Sequence, residues 1–361
     1  MVERILCIRA DASDAIGMGH VERCLALAAA LVPYSFRPIL VTAHPSGLGS
    51  RLANVKGEVV ALKGHTRQGG LAAREDFTAF VEVATQLGAH VVLLDVDSYG
   101  DDIDPLVLEA RGKLLVVAMG RRTKRRYVAD IVINANLLAF DLGYRSHDGT
   151  TEFLLGPSYA MIRPTLVEQR GPEASETVPA HVDRILIALG GADPLGLSPR
   201  VAALVARALP DAEIDLVLGP CTRMQLREEA ELLPAHNPKI TVSVDPSDLD
   251  VRIAAAHLGL VGAGTMILEL LAVGVPVMAL AQNADQVAYL PPLVDRRIVV
   301  AIDVSNGVPE ALLVQGVRAL SALPAMRLDL ARGGYGLIDG RGGERIATAI
   351  LRRLRAQANH I

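Results

Sequence analysis

An imidazole beside two glycines is the first group in this sequence that could do chemistry. Gly17 and Gly19 precede His20, and they join an apolar run, residues 5–8, to a stretch in which apolar residues recur with helical spacing. Glycines in such a strand-to-helix turn let the backbone approach a ligand, and the N–H groups at the helix start favour an anion. In the alternative interpretation the glycines only make a turn, and His20 is a surface residue of the first helical turn.

A second glycine turn, Gly190 and Gly191, follows the apolar run 184–189 and leads to Asp193 and a proline. Backbone N–H groups in this turn could meet an anion, which makes all three residues candidates for a binding site. Asp193 by itself favours a plainer role, in which its carboxylate caps a helix or stabilises the turn.

A third turn, Gly262 and Gly264, opens a helix at Thr265 that carries Glu269 one turn later. A helix N-terminus can accept a phosphate, while a carboxylate on the same helix accepts hydrogen bonds from sugar hydroxyls. The alternative is a solvated glutamate, but Glu269 stands between two leucines, where a charge without a partner is costly.

An acidic cluster, Asp95, Asp97, Ser98 and Tyr99, follows the run 91–94. No histidine lies nearby in sequence to complete a zinc-type set, and oxygen-only magnesium sites have no diagnostic spacing. We therefore expect neither a metal nor a cofactor.

These candidates lie at the ends of strands in an alternating pattern of strands and helices. That order predicts an α/β fold with parallel sheets covered by helices on both faces. Ligands in such folds collect at the carboxyl ends of strands, so a cleft between two halves is the expected site. The predicted strands are 5–8, 38–42, 91–94, 114–118, 131–134, 184–189, 213–218, 240–244, 258–261, 277–281 and 299–301.

Composition excludes several classes of protein. The chain has 361 residues and a net charge of −4, which gives no electrostatic argument for nucleic acid. The basic run 121–126 lacks interleaved aromatic residues and is typical of a solvated face. Three scattered cysteines and a charged amino terminus favour a cytoplasmic protein without a secretory signal. The apolar segment 253–281 is punctuated by glycines and a proline, so we interpret it as strand, turn, helix and strand rather than a membrane span.

The opening segment resembles the signature of the PseG/SpsG group, whose best-known member is the nucleotide-sugar hydrolase of pseudaminic acid biosynthesis. The resemblance rests on Asp11, Gly17, Gly19, His20 and Arg23, with Cys24-Leu25-Ala26 after them. Later motifs of the group follow in order: Asp97-Ser98-Tyr99-Gly100, Asn134-Ala135-Asn136, Gly156 to Pro164, Gly190 to Asp193, the Gly262 turn with Glu269, Gly274-Val275-Pro276, and Ile338 to Gly342.

The resemblance implies a GT-B architecture of two Rossmann-like domains with an interdomain cleft. We expect an N-terminal domain over residues 1–163, a linker over 164–183 and a C-terminal domain over 184–340 that binds the nucleoside diphosphate. A terminal helix over 341–361 is expected to cross back to the first domain.

The resemblance also implies residue roles. His20 matches the base that activates water, Tyr99 matches an active-site tyrosine, and Glu269 matches the glutamate that holds the ribose; we add Asp285 to the catalytic set. The predicted substrate-binding residues are Asp11, Gly17, Gly19, Arg23, Arg121, Asn136, Tyr159, Gly190, Gly191, Asp193, Gly262, Gly264, Thr265, Glu269 and Gln286.

Two departures from the family pattern bear on the substrate. Asp285-Gln286 stands where the group usually has Asn-Gln, which replaces an amide by an acceptor-only carboxylate. Gly120-Arg121 stands where an acidic pair is common, and this changed charge suggests a different sugar or acceptor.

Three functions remain open on the sequence. The first is a hydrolase of a nucleotide sugar, most simply a UDP-sugar, in which a water activated by His20 attacks the anomeric carbon. The second is a glycosyltransferase in which His20 deprotonates an acceptor hydroxyl, and the third is a silent nucleotide-sugar-binding protein. We expect a monomer or weak homodimer without a nucleic-acid or membrane partner.

Overall fold

The computed structural model of the chain describes residues 3–13, 16–46, 48, 51, 57–62, 70–97, 99–120, 125–171 and 176–358. The chain divides into two compact units. The first contains Met1–Asp11, His20–Arg163 and Gly340–Ile361, and the second contains Ala12–Gly19 and Pro164–Asp339.

The first unit is built on a seven-stranded parallel sheet, in the order β3-β2-β1-β4-β5-β7-β9, with β6 and β8 forming a separate short pair. Its strands are β1 Arg4–Ala10, β2 Phe36–Thr42, β3 Glu58–Ala61, β4 Ala89–Asp95, β5 Leu115–Met119, β6 Arg126–Tyr127, β7 Ile131–Asn134, β8 Arg145–Ser146 and β9 Glu152–Leu155. Its helices are α1 Gly19–Leu31, α2 Gly70–Gln86 and α3 Asp104–Arg111, and short 3₁₀ turns span Val32–Tyr34, Asp101–Ile103, Ala139–Leu142 and Pro157–Tyr159.

The second unit is built on a six-stranded parallel sheet, in the order β12-β11-β10-β13-β14-β15. Its strands are β10 Arg184–Ala188, β11 Glu213–Leu218, β12 Ile240–Val244, β13 Leu258–Gly262, β14 Val277–Ala281 and β15 Val300–Asp303. Its helices are α4 Pro164–Val167, α5 Ser198–Ala208, α6 Met224–Glu231, α7 Leu233–His236, α8 Leu249–Ala255, α9 Thr265–Ala272, α10 Ala284–Tyr289, α11 Pro291–Asp295, α12 Glu310–Ala322 and α13 Pro324–Leu337.

The predicted α/β fold with parallel sheets is confirmed. Central strands such as β13 and β14 are buried along their whole length, because helices cover both faces of a parallel sheet. Every strand predicted from an apolar run is present, and the apolar segment 253–281 contains β13, α9 and β14 as expected. Within the residues that the structure describes, no helix is long and apolar enough to cross a membrane.

Strand order places one topological switch point in each unit. The order reverses between β1 and β4 in the first sheet, and between β10 and β13 in the second. At such a point the connections leave toward opposite faces of the sheet, so a crevice opens beyond the carboxyl ends of the two strands. At the first switch point His20 follows β1 and Asp95 ends β4, and at the second Gly190 follows β10 and Gly262 ends β13.

The segment predicted as a linker begins with α4, and from Pro164 it groups with the second unit. Arg170 lies over the ring of Tyr335 at 3.4 Å from its centroid and donates to backbone carbonyls of α9 and α13 and of the residue that follows α13. Arg327 is fully buried and donates to the carbonyls of Leu320, Ser321, Pro179 and Ala180. Two arginines therefore attach this segment to the second unit.

The last helix, α14, spans Gly342–Ala358 and belongs to the first unit. A Cβ at Gly342 would lie 2.1 Å from the carbonyl oxygen of Ala160, so only glycine permits this approach. Arg353 on the same helix donates to the carbonyls of Asp130 and Thr150, at 3.1 Å for the first.

Arg327→Ala is expected to destabilise the protein by about 3 kcal/mol, because buried carbonyls that lose their donor each cost roughly 1–3 kcal/mol. The free energy of unfolding, measured in urea, checks this value, and the exposed Arg296→Ala is the matched control. Equal unfolding free energies for the two variants would show that the Arg327 contacts do not stabilise the fold.

Candidate active site

His20 lies in the first turn of α1, directly after the glycine turn that follows β1. Its Nδ1 atom is 2.8 Å from Oδ1 of Asp95, the last residue of β4. Ala10, at the end of β1, pairs with Asp95 in the sheet, so the strand register brings the two together at the switch point. Parallel pairing of β1 with β4 thus explains a contact between residues far apart in the sequence.

Arg23 holds the same carboxylate from one helical turn further along α1. Its Nε atom donates to Oδ2 of Asp95 at 2.5 Å and its Nη2 atom donates to Oδ1, a bidentate pair. Burial alone would raise the pKa of Asp95, but Arg23 and His20 outweigh burial and hold that pKa well below its usual range. Asp95 is therefore a buried anion with two cationic partners.

The negative charge of Asp95 determines which ring nitrogen of His20 carries the hydrogen. Since the carboxylate can only accept, Nδ1 of His20 carries the hydrogen, and Nε2 is left as the nitrogen that exchanges protons. Nε2 is 3.3 Å from Oδ2 of Asp97, whose side chain is 83% exposed. A buried carboxylate at Nδ1 and an exposed carboxylate at Nε2 orient this imidazole, an arrangement suited to acid–base catalysis.

Both carboxylates favour the imidazolium form of His20. Burial lowers the pKa of His20, but the hydrogen bonds to Asp95 and Asp97 outweigh burial and raise it to about 9, above the ordinary 6.5. Because the folded-state pKa is the higher one, protonated His20 stabilises the fold below about pH 6.5, and this contribution is lost as the pH rises through about 9.

A second buried ion network lies beside this site. Asp11 accepts from Arg9 at 2.7 and 2.8 Å, from the Thr42 hydroxyl at 2.8 Å and from the N–H of Ala43 at 2.9 Å. Burial raises the pKa of Asp11, but these donors outweigh burial and lower it. The carboxylate oxygens of Asp11 thus hold the ends of β1 and β2 together, and its predicted substrate contact stays a prediction.

Tyr99 joins that network through Asp76 of α2. Its hydroxyl donates to Oδ2 of Asp76, which also accepts from Arg9 at 3.0 Å. Tyr99 is 4% exposed, and burial raises the pKa of its hydroxyl well above the usual value. In this structure Tyr99 fixes the loop after β4, and its predicted catalytic role is untested.

The remaining predicted residues of the first unit have local roles or are not described. Asn136 accepts from the N–H of Leu138 at 2.8 Å, which makes a turn after β7. Tyr159 is half-buried at the end of the 3₁₀ turn Pro157–Tyr159, next to the backbone that α14 approaches. Arg121 lies outside the described residues.

In the second unit Asp193 is a buried helix cap, which agrees with its plainer interpretation. It has a φ of 43° and accepts from the N–H groups of Leu197 and Ser198 at 3.1 and 2.8 Å. This carboxylate thus satisfies the first N–H group of α5, and the predicted substrate contact of Asp193 stays a prediction.

The glycine turns permit close backbone approach. Gly17 and Gly190 have positive φ values of 77° and 104°. A Cβ at Gly191 would lie 2.6 Å from the backbone nitrogen of Met18, and one at Gly19 would lie 4.0 Å from Oγ1 of Thr265. At Gly191 a side chain would thus collide with the backbone of Met18, whereas Gly19 has room for one.

A candidate anion site lies at the start of α9. Gly262 ends β13, Gly264 precedes the helix, Thr265 is its first residue and half-buried Glu269 lies one turn later. A Cβ at Gly262 would lie 2.8 Å from Nε2 of Gln282, whereas one at Gly264 would meet nothing within 4 Å.

Gln282, directly after β14, was not among the predicted residues. Its Nε2 atom donates to the carbonyl of Leu189 at 2.8 Å, and its buried Oε1 atom has no hydrogen-bond partner in the part of the chain described. Because a glutamine after a buried strand is a common pattern, the sequence did not indicate a structural role for Gln282. Gln282 ties the ends of β10 and β14 together beside Gly262.

Asp285 and Gln286 lie in the first turns of α10. Asn283 caps that helix by accepting from the N–H of Gln286 at 2.9 Å, and Oε1 of Gln286 accepts from the N–H of Gln282 at 2.7 Å. Asp285 is exposed. The structure therefore gives Gln286 a part in shaping the turn, while the predicted catalytic role of Asp285 remains untested.

The structure brings the predicted residues His20 and Arg23 together, with Asp11 in the adjacent network. It also brings in Asp95, whose role the sequence did not indicate. His20 and Arg23 meet Asp95 directly, and Asp11 lies in the adjacent network, whereas Asp95 had been considered only as part of an acidic cluster. Within the described ranges no group of three His, Cys, Asp or Glu side chains could hold a metal ion.

Comparison with known proteins supports a GT-B fold. No family model matches the chain. The spore coat polysaccharide biosynthesis protein SpsG of Bacillus subtilis is 26% identical over 354 residues, which are 97% of this chain and 98% of SpsG. UDP-GlcNAc 2-epimerase of Neisseria meningitidis, solved bound to UDP-GlcNAc, has a TM-score of 0.65 and 12% identity over 97% of this chain and 100% of that one. The calicheamicin glycosyltransferase CalG4 has a TM-score of 0.62 and 16% identity over 98% of this chain and 99% of that one.

Asp97→Asn is expected to lower the pKa of His20 from about 9 toward its ordinary value of 6.5, because Nε2 loses an anionic partner. NMR titration of the imidazole measures this shift directly. An unchanged titration in the variant would mean that Asp97 does not interact with Nε2 in solution.

Proposed function

We propose that the protein is a nucleotide-sugar hydrolase that cleaves the anomeric C–O bond with inversion. The observation that carries the proposal is the imidazole of His20, which has Nδ1 fixed by the buried Asp95 and Nε2 directed away from it. One oriented base is sufficient for this reaction, since a nucleoside diphosphate already leaves as a stable anion and needs no acid partner of the kind glycosidases use.

The reaction follows from that geometry. Nε2 of neutral His20 accepts a proton from water as the water oxygen forms a bond to the anomeric carbon. The bond from that carbon to the phosphate oxygen breaks, and its electron pair leaves with the nucleoside diphosphate. Asp95 stabilises the resulting imidazolium, and Arg23 keeps Asp95 ionised.

The second unit is proposed to bind the nucleotide. N–H groups at the start of α9 would meet the diphosphate, Glu269 would accept from ribose hydroxyls, and Oε1 of Gln282 offers a further acceptor. The structural likeness to an epimerase bound to UDP-GlcNAc supports a UDP-sugar as substrate. The similarity to SpsG, a spore coat polysaccharide biosynthesis protein, supports a role in carbohydrate biosynthesis. We propose surface-glycan or nonulosonic acid-type biosynthesis, with an amino or deoxy sugar as substrate. Cys7, Cys24 and Cys221 form no disulfide with one another, in keeping with a reducing cytoplasm.

A glycosyltransferase is the second candidate, and the likeness to CalG4 favours it. In that reaction Nε2 of His20 would take the proton of an acceptor hydroxyl instead of water, while the rest of the chemistry is unchanged. Phosphorus NMR with UDP-, GDP-, CMP- and dTDP-sugars, without acceptor and with a chelator present, separates the two. Release of a nucleoside diphosphate supports the hydrolase, and binding without release supports the transferase.

Gly262→Ala is expected to weaken nucleotide binding at least tenfold, because its Cβ would displace Gln282 and the end of β10 beside the start of α9. Gly171→Ala is the matched control, since its Cβ meets nothing within 4 Å and Gly171 lies outside the proposed nucleotide site. Calorimetric titration with UDP measures both. Equal affinities for the two variants would place the nucleotide elsewhere.

His20→Asn is expected to reduce kcat/KM by about 100-fold or more, the usual contribution of a general base. The exposed His236→Asn serves as the control. In the native protein kcat/KM should rise with pH up to about 9, as His20 loses its proton. Native turnover in the His20 variant would remove the base role, and a rate that falls with pH over this range would make His20 an acid.

A further inference from the structure

The basic run 121–126 has no part in the proposed reaction, and its described members are Arg125 and Arg126. Arg126 is exposed, as expected for a solvated charge run. Arg125 is different: its side chain is only 12% exposed, and it lies 5.3 Å from the centroid of the Tyr127 ring. The hydrogen-bond partners of this mostly buried guanidinium indicate the role of Arg125.

Arg125 binds the loop that connects β4 to the 3₁₀ turn Asp101–Ile103. It contacts backbone carbonyls of that loop and carboxylate side chains of the residues that follow it. Its Nη1 and Nη2 atoms donate to the carbonyls of Tyr99 and Gly100 at 3.2 and 2.8 Å. Nη2 also donates to Asp104 at 2.5 Å, and Nε is 2.8 Å from Asp101. The two terminal nitrogens thus join consecutive carbonyls to the Asp104 carboxylate, a planar arrangement that a lysine could not reproduce.

The held loop carries Asp97. On its other side the loop is fixed by the Tyr99 hydroxyl, which donates to Asp76. Asp97 lies within the turn that the N–H of Tyr99 closes by donating to the carbonyl of Val96 at 3.2 Å, and from there its Oδ2 atom lies 3.3 Å from Nε2 of His20. The position of this carboxylate therefore depends on the backbone that Arg125 and Tyr99 hold.

We propose that Arg125 is a positioning residue for the reaction, which fixes the loop so that Asp97 faces Nε2 of His20. This inference rests on the proposed function, because it assigns Arg125 to the machinery that tunes the base. Arg125 touches neither His20 nor any reacting atom, and it acts through the loop alone.

The charged groups around His20 define the expected effect. Asp95 and Arg23 face Nδ1, and Asp97 faces Nε2. Around Arg125 the charged groups are Asp101 and Asp104, with His147 near the latter. Loss of Arg125 leaves the Nδ1 side intact and releases Asp97, so the imidazolium form is stabilised less.

The test is NMR titration of His20 in Arg125→Gln, Arg125→Lys and Asp97→Asn, with Arg126→Gln as the matched control. Arg125→Gln should lower the His20 pKa by about one pH unit, close to the Asp97→Asn value. The double variant should show no further fall, because both changes remove the same contact. Arg125→Lys keeps the charge but lacks the fork, and a folded Arg125→Lys protein with a lowered pKa supports the proposal even if Arg125→Gln does not fold.

An unchanged His20 pKa in folded Arg125→Gln or Arg125→Lys, alongside a lowered one in Asp97→Asn, would overturn the proposal. So would an equal shift in Arg126→Gln. The titration needs no substrate, so it stands apart from the proposed function: full turnover by His20→Asn would refute the reaction without changing the result for Arg125.

Discussion

The ionised carboxylate of Asp95 is the constraint on which the candidate active site depends. It lies at the buried end of β4, where a lone charge would be costly, and it is stable there because α1 supplies two cationic partners. Arg23 keeps it ionised, and the ionised form in turn sets the tautomer of His20. Removing any one of the three would leave a buried charge or donor without its partner. The direction of Nε2, and hence the proposed base, follows from that triad.

The fold brings the triad together through strand order. Because β1 and β4 are neighbours in the first sheet, the helix after one strand meets the carboxylate at the end of the other. The buried Arg9, with Asp11 and Asp76, ties the same strand ends to α2 and Tyr99. Two adjoining ion networks thus connect the carboxyl ends of β1, β2 and β4. In the second sheet the same kind of position is occupied by glycines and by Gln282, and it is there that we propose the nucleotide binds.

Much of the fold was predictable, because long apolar runs determine the central strands of parallel sheets. The short strands β3, β6, β8 and β9 were not predicted, since a strand of two to four residues gives too short a pattern to be distinguished from a loop. His20 and the glycine turns were recognised from local spacing. The partnership of His20 with Asp95, 75 residues away, and the grip of Arg125 on the loop after β4 were not, because they depend on which strands are neighbours. Asp193 accepts from the N–H of Ser198, which agrees with the plainer role that the sequence favoured, and its predicted substrate contact stays a prediction.

Hydrolysis of a UDP-sugar in ¹⁸O-labelled water, without acceptor, tests the central claim most directly. If a water activated by His20 attacks the anomeric carbon, the label appears at C1 of the released sugar, and the phosphorus signals of UDP show no isotope shift. Label in the β-phosphate would mean attack at phosphorus, for which the oriented imidazole gives no account. Label at C1 produced by the His20→Asn variant at the native rate would equally contradict the role of the His20–Asp95 pair.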